Sequence, residues 1–283
     1  TGDAVSEMIA SYAVMIDPGE RDRFKESKPG IRKGDSNKAS IALVPVEPPP
    51  ELVEEYRKRR SYRRFSLRPV PLEAISRLLG YLRPVTLDGK AKYLYGSPGG
   101  LYPTQIYLHC KTGRVAGLES GVYYYHPIEH RLVVLQPKVE ISRDIHIPFI
   151  NTPIYDEAAF SLFFVCEFAA LAPSYGDRSL HFATMEAGIL THLMESRAYQ
   201  HGIGLCSIGT IDFEQIRPWF GLSKSHALIH SLVGGRIDED SAAAPGQGDR
   251  VANLQQRIQK MSAEEVKALL KAHKQGGSKG KPE

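Results

Sequence analysis

Hydrophobic and polar positions change period several times along the chain, and each change marks an element. Leu72, Ile75, Leu78, Leu79 and Leu82 recur at helical spacing, which predicts an amphipathic helix starting at Pro71. Ile106, Leu108 and Cys110 instead alternate with Tyr107 and His109, the period of a strand with two unlike faces. Residues 122–125 and 132–135 flank the polar connector 126–130 and predict a hairpin with a longer loop. From 160 to 168 the chain is apolar almost throughout and rich in aromatics, so it reads as a strand or helix start covered on both faces. Phe182, Met185, Ile189, Leu190, Leu193, Met194 and Ala198 then form one stripe of a long helix that Gly202 stops. Residues 202–209 are punctuated by glycines and read as a loop or short strand, and 229–233 read as a strand ending at Gly234-Gly235-Arg236. These elements predict an α+β core.

The flanks look different. A short helix is expected around residues 8–15, followed by polar chain and then Val44-Pro45-Val46-Glu47-Pro48-Pro49-Pro50. Three successive prolines cannot continue a helix or a central strand, so 1–50 reads as a terminal segment and an extended linker. The chain turns helical at Glu51, a helix expected to carry the basic run 57–64, and the folded domain is expected over 51–238. Beyond it, 239–283 reads as a Ser/Ala/Gly/Pro spacer, a short helix over 254–272 and a Lys/Gly tail expected to be disordered. No internal repeat is present.

Composition narrows the function classes. With 283 residues, 42% of them hydrophobic, the chain can bury a sizeable core. It has no run of about 18 apolar residues, so no membrane helix is expected, and Thr-Gly-Asp-Ala does not open a secretory signal. Cys110, Cys166 and Cys206 are odd in number and form no Cys-x-x-Cys pair, which points to a reducing, cytoplasmic setting without a disulfide framework. The net charge of +4 lies wholly in 249–283, where eight basic residues face four acidic ones; residues 1–248 balance 28 against 28. A nucleic-acid partner for the folded part is therefore not expected.

Three segments could carry chemistry. Residues 57–64 hold six cations in eight positions, which is either a solvated basic face or an anion pocket where Arg59, Arg60, Ser61 and Arg63 converge on a phosphate. The neutral remainder of the core favours the small anion. In Ser97-Pro98-Gly99-Gly100-Leu101-Tyr102-Pro103-Thr104-Gln105, paired glycines would let backbone approach a flat ligand, although the same composition makes an ordinary turn. Tyr175 and His181 stand ahead of the long helix, where they could supply acid or base, while Asp177 and Ser179 are N-cap material. His181, His192 and His201 lack metal-ligand spacing and His226 with His230 falls on a strand, so no metal site is expected. Cys206 has no neighbouring base and reads as a small buried residue. No dinucleotide fingerprint, P-loop or Gly-x-Ser-x-Gly elbow occurs.

Taken in order, these segments resemble the nitroreductase-like flavoproteins. Arg59-Arg60-Ser61-Tyr62-Arg63 resembles the family's opening Arg-Arg-Ser-x-Arg element, which holds the phosphate and ring edge of flavin mononucleotide, FMN. The segment from Ser97 through Pro98, Gly99 and Gly100 to Gln105 resembles the loop of the SagB-type branch that packs on the isoalloxazine ring. Glu186-Ala187-Gly188 and Gly202-Ile203-Gly204-Leu205-Cys206 are similar to the helix and loop bordering its reactive face, and Arg236 stands where the phosphate site closes. The resemblance implies a nitroreductase-like α+β fold, a central mostly antiparallel sheet flanked by helices, with FMN at a homodimer interface.

Within that branch the chain most resembles the oxidase domain of nonribosomal peptide synthetases, through Asp17-Pro18-x-Glu20-Arg21, Pro153-Ile154-Tyr155-Asp156-Glu157 and Ser179-Leu180-His181-Phe182-Ala183-Thr184-x-Glu186-Ala187-Gly188. The implied reaction converts a thiazoline or oxazoline, held as a thioester on a peptidyl carrier protein, to the thiazole or oxazole, with O2 reoxidising the flavin to give hydrogen peroxide. Adjacent synthetase domains would be partners. The stand-alone members carry a Lys-Tyr pair where this chain has Ser174-Tyr175. Tyr175 is then the candidate base, needing a nearby cation because a free tyrosine titrates near pH 10, and Lys92, His181 or Asn151 could fill the missing lysine's role. Two rivals remain open: an NAD(P)H-dependent nitro or quinone reductase, and a basic docking module without redox activity.

Overall fold

The structure, a computed structural model, describes residues 8–12, 15, 17–32, 38–148 and 150–238. They fall into two units, one within the first 48 residues and one from Pro49 onward. The spacer, helix and tail expected over 239–283 lie outside the described residues.

In the first unit residues 8–11 are helical, and a second helix, α1 (Pro18–Glu26), follows. Asp17 caps it by accepting the Glu20 N–H at 2.7 Å, with Pro18 in the first turn. Residues 39–48 are extended, and Ile41, Leu43, Val44 and Val46 stand in solvent.

The first helix of the second unit opens on the last of the three prolines. Pro50 is the first residue of α2 (Pro50–Lys58), where a missing N–H costs nothing. The predicted second helix is α3 (Leu72–Gly80); Pro71 caps it and belongs to a two-residue strand, β1 (Val70–Pro71). A small hairpin, β2 (Val85–Leu87) and β3 (Lys90–Lys92), precedes the main sheet. That sheet uses β4 (Thr104–Cys110), β6 (Gly121–His126), β7 (Arg131–Pro137), β8 (Phe160–Glu167), β9 (Ile203–Ile208) and β10 (His226–Arg236), in the order β7-β6-β4-β8-β10-β9, every neighbouring pair antiparallel. The short β5 (Val115–Ala116) pairs with β1.

The alternation read in the sequence is what lets both faces of this sheet be covered. Ile106, Leu108, Phe160, Leu162 and Phe164 pack under α3 and under α6 (Ser179–Ala198). Tyr107, Phe163, Val165 and Cys206 face the other way, onto Tyr155 of α4 (Thr152–Glu157), Phe213 and Phe220. Helix α5 (Phe168–Tyr175) links β8 to the start of α6.

Four expectations need correction. The basic run leaves the helix at Lys58, for reasons given below. β10 does not stop at Gly234 but continues to Arg236. Gly234 is needed there because a methyl group would overlap the Phe160 ring and come within 2.8 Å of Leu205 Cδ2. Neither Asp177 nor Ser179 caps α6; Arg178 occupies that position without a side-chain bond, and the Ser179 hydroxyl donates back to Gly176 O at 2.6 Å. Finally, the core face of α6 is Ala183, Glu186, Ala187, Leu190, Met194 and Ala198, whereas Met185 and Ile189 of the predicted stripe are exposed.

Two histidines are locked inside the second layer. His109 is fully buried, and His146 is buried against the Tyr155 ring at 4.3 Å with neither ring nitrogen bonded. Burial pushes both down to about 4, helped at His146 by the Lys111 ammonium. The unfolded chain takes up these protons near pH 6.5, so their contribution is intact above that pH and is lost as the pH falls towards 4.

Two outcomes are expected. The melting temperature of the protein should fall steeply between pH 6.5 and 4.5, and His146→Phe, which keeps the stacking, should flatten that slope; an unchanged slope would clear His146 of the effect. Gly234→Ala should lower stability in urea by about 1–3 kcal/mol through overpacking against Phe160, and a wild-type midpoint would contradict the close packing.

Candidate functional site

Two groups of the sequence-selected residues come together, one at each half of α6. The first depends on how the chain leaves α2. Tyr62 and Phe65 are buried, so the segment carrying them must turn onto the sheet instead of winding on as helix. β9 is an edge strand, and its free carbonyl at Leu205 accepts the Tyr62 N–H at 2.8 Å; Ser66 N–H then reaches Arg236 O at 2.9 Å. Gly204 and Gly235 make the seats. A Cβ at Gly204 would lie 2.6 Å from Tyr62 Cγ and from Ile237, and one at Gly235 would lie 2.8 Å from Phe65 Cβ. The Tyr62 hydroxyl donates to Lys58 O at the end of the helix.

This docking decides where the cations go. Arg57 and Lys58 pair with Glu54, and Arg64 with Glu157 at 2.8 Å. Arg59 leans towards Glu195 of α6 at 3.6 Å, while Glu195 also accepts from the Ser207 hydroxyl at 3.2 Å. Arg60 lies over the Tyr62 ring at 4.7 Å. Arg63 is exposed and, among the described residues, meets no carboxylate; its hydrogen bond is a 3.5 Å contact to Ser61 O. Arg236 donates to Pro69 O at 3.4 Å and, like Ser61, is half-buried. Arg59, Ser61 and Arg63 thus lie on the segment docked against the β9 edge, while Arg236 ends the neighbouring inner strand β10. Leu205 and the Cys206 thiol face the interior, and Gly204 is filled by Tyr62, so these three build the edge from within.

The second group is the glycine loop. Gly99 and Gly100 adopt positive φ, +58° and +69°, and the Ser97 hydroxyl accepts the Tyr102 N–H at 2.8 Å, closing the turn. Pro98 begins its short 3-10 turn. A Cβ on Gly99 would come within 2.8 Å of the Tyr175 hydroxyl, so glycine is what allows Tyr175 to lie against the loop. The Tyr175 ring packs on Phe182 at 4.6 Å, and its hydroxyl makes no hydrogen bond among the described residues. Where the loop enters β4, the Thr104 hydroxyl donates to Glu186 at 2.9 Å, and Gln105 accepts from the Tyr107 hydroxyl. Glu186 is wholly buried, and burial raises its pKa against the opposing pull of the Thr104 and Ser97 hydroxyls. Gly188, two positions along, is on the exposed side of the helix.

The remaining candidates are dispersed. His181 is exposed on the first turn of α6 with its ring edge-on to Phe182 at 5.7 Å. Lys92 is exposed on the small hairpin, and Asn151 donates to Thr210 O at 3.4 Å beyond the end of β9. Neither hydrogen-bonds Tyr175. The sequence reading also passed over Glu195, Thr104 and the rings of Tyr93, Tyr95 and Tyr102, which cluster on the glycine loop with Tyr93 stacked on Tyr102 at 3.9 Å. The Tyr93-x-Tyr95 spacing was a usable signal for that cluster; nothing in sequence pairs Glu195 with Arg59.

Glu186 and Glu195 mark the two groups on α6, nine residues and about 13.5 Å apart along its axis. Leu180, Met185 and Ile189 are exposed on the same helix.

Comparison with known proteins fits this geometry. The chain is 28% identical to MJ1384 of Methanocaldococcus jannaschii, named as a nitroreductase, over 181 residues that are 64% of this chain and 89% of that one. It is 30% identical over 145 residues to the indigoidine synthase of Dickeya dadantii, which is half of this chain but 9% of the synthase. Among solved structures it superposes on a nitroreductase-type protein of Anabaena variabilis with a TM-score of 0.54 and 25% identity, covering 66% of this chain and 38% of that one. A chain of the E. coli microcin synthetase McbBCD complex with truncated pro-MccB17 bound shares the fold at TM-score 0.56 and 15% identity, covering 82% and 87%. The sequence profile of the nitroreductase family matches residues 56–235, from just before the basic run to the end of β10, and the chain belongs to that family.

Proposed function

We propose that this family oxidoreductase is an FMN-dependent oxidase that dehydrogenates a carrier-bound thiazoline or oxazoline to the thiazole or oxazole. The observation that carries the reading is the docking of the 59–66 segment on β9 and the end of β10, which holds Arg59, Ser61 and Arg63 beside one half of the helix whose other half holds the glycine loop and Tyr175, with Arg63 meeting no carboxylate among the described residues and Ser66 bonded to Arg236 O. Guanidiniums and a hydroxyl so grouped fit a phosphomonoester. The Gly99–Gly100 backbone offers a surface without Cβ atoms for a flat ring. The relatives support the substrate class: one is a segment of indigoidine synthase, and the fold recurs in a microcin synthetase complex.

When bound, FMN would supply the hydride acceptor that an azoline oxidation requires. The chain's own residues would do the rest. Arg59, Arg63 and Arg236 with Ser61 hold the phosphate, and the 97–102 loop fixes the ring plane. Tyr175, whose hydroxyl makes no hydrogen bond among the described residues and abuts that loop, handles the proton lost from the ring carbon beside the carbonyl. His181, which meets the same Phe182 ring as Tyr175, takes the missing lysine's role among the groups considered. A second copy of the chain covers Leu180, Met185 and Ile189, so the flavin lies at a homodimer interface. A peptidyl carrier protein and neighbouring synthetase domains present the substrate, and O2 takes the electrons to give peroxide.

The nitroreductase-type relatives favour one alternative, reduction of the flavin by NAD(P)H. The purified protein should show flavin absorption, and an azoline thioester should bleach it anaerobically and yield peroxide in air; bleaching by NAD(P)H alone would favour the reductase. Arg59→Ala with Arg63→Ala should weaken FMN binding roughly 100-fold, whereas Tyr175→Phe should keep the flavin and slow turnover about 100-fold. A yellow double variant would place the phosphate elsewhere. For the interface, Met185→Glu with Ile189→Glu should halve the sedimenting mass and release flavin; an unchanged mass would remove α6 from the interface.

A further inference from the structure

Glu186 is the one ionisable side chain of α6 that points wholly into the protein. Its Oε2 accepts from Thr104, the first residue of β4, at 2.9 Å, while Oε1 is buried without a hydrogen-bond partner. The Ser97 hydroxyl approaches the same carboxyl. Ser97 and Thr104 are the two ends of the glycine loop, and Ser97 also closes the turn through Tyr102 N–H. One carboxyl therefore sits under both ends of the loop.

We propose that Glu186 is a positioning residue that, as a neutral acid, clamps the 97–102 loop between β4 and α6. A protonated carboxyl can do what this place demands: one oxygen accepts from Thr104 and the other, as O–H, donates to Ser97 Oγ, which keeps a lone pair beside its bond to Tyr102. An ionised carboxylate can still accept from Thr104 and Ser97, but two hydroxyls offset a buried charge only in part. No Lys or Arg pairs with it among the described residues. The titratable groups that feel it are the Tyr95 phenol, on the loop side, and the Cys166 thiol of β8, both pushed up by burial and by Glu186 itself and therefore neutral. Burying an unpaired charge costs far more than burying the acid. Deprotonation accordingly loosens the loop so that water can reach the carboxylate. Tyr95 packs edge-on to Tyr102, so the tyrosine cluster moves with the loop.

The effect on cofactor rests on the flavin reading above; the dependence of the loop on Glu186 does not. Because burial raises the Glu186 pKa, the clamp is complete at low pH and is lost as the pH rises through that value. Hydrogen exchange of the full chain without flavin, followed on a peptide covering residues 96–103 and corrected for intrinsic rates, tests it. Glu186→Gln, a neutral donor and acceptor of the same shape, should protect the loop as the wild type does at low pH, and should keep that protection as the pH rises. Glu186→Ala should exchange about tenfold faster, the loss of one buried hydrogen bond. If Glu186→Ala does not fold, Thr104→Val removes one arm of the clamp and should show the same direction. Loss of protection in Glu186→Gln equal to that in Glu186→Ala, or wild-type protection that increases with pH, would overturn the proposal. In a second arm, FMN fluorescence quenching should show wild-type affinity falling with pH and Glu186→Gln affinity flat. Failure of every form to quench FMN would sink the flavin reading while leaving the loop result standing.

Discussion

The contact between Tyr62 N–H and the free carbonyl of Leu205 is the constraint from which the candidate site follows. β9 ends the sheet, and an unpaired edge invites another strand. Here the protein's own chain takes that place, with Ser66 extending the docking to Arg236. Had α2 run on through the basic segment, successive side chains would have turned by about 100° and the cations would have spread around a cylinder. In the extended form, Tyr62 and Phe65 drop into seats that Gly204 and Gly235 leave open, and the polar residues between them stay on the outer surface. Anchoring by two aromatics sets the directions of Arg59, Ser61 and Arg63 without using any of those side chains as the anchor.

α6 shows the opposite economy. Its inward face sets the small Ala183, Ala187 and Ala198 among Leu190 and Met194, and a carboxyl group occupies a position that an apolar side chain could have held. Met185 and Ile189 point outward. A helix that buries Glu186 in its core face while exposing Met185 and Ile189 is built to be read from both sides. The inner side holds the glycine loop through Thr104, and the outer side is free for a second surface.

These features mark how far the sequence could be read. The alternation in β4 was legible because a period of two belongs to strands, whereas β8, apolar on both faces, carries no period and its run left strand and helix start both open. The end of α2 was not, since Arg and Lys are good helix formers and only the distant carbonyl of Leu205 pulls the segment away. The stripe on α6 was found, but periodicity cannot tell a face covered by the chain's own sheet from one left for another molecule. Gly204 was read within a loop or short strand, and Gly234 and Gly235 as the end of a strand, yet each serves as a seat inside a strand, an assignment that needs the partner rings to be known. Tyr175 and the Ser97 loop were chosen separately and lie against each other; Glu195, near Arg59, carried no local signal at all.

Charge bookkeeping along the basic run explains why a small anion fits this edge better than a polynucleotide. Six cations in eight residues would make a strong field if they were unpaired, but Glu54 answers Arg57 and Lys58, Glu157 answers Arg64, and Glu195 approaches Arg59. A polyanion is recognised by a surplus spread over many phosphate spacings. Pairing of this kind removes that surplus at long range, while Arg63 stays exposed with no carboxylate among the described residues, as the phosphate site proposed above requires. Glu195 sharpens the distinction. It keeps Arg59 on the edge, and at 3.6 Å its hold is loose enough for a phosphate to compete for the same guanidinium. The edge therefore rewards a ligand that brings two negative charges to one point, and offers little to one whose charges are strung along a chain.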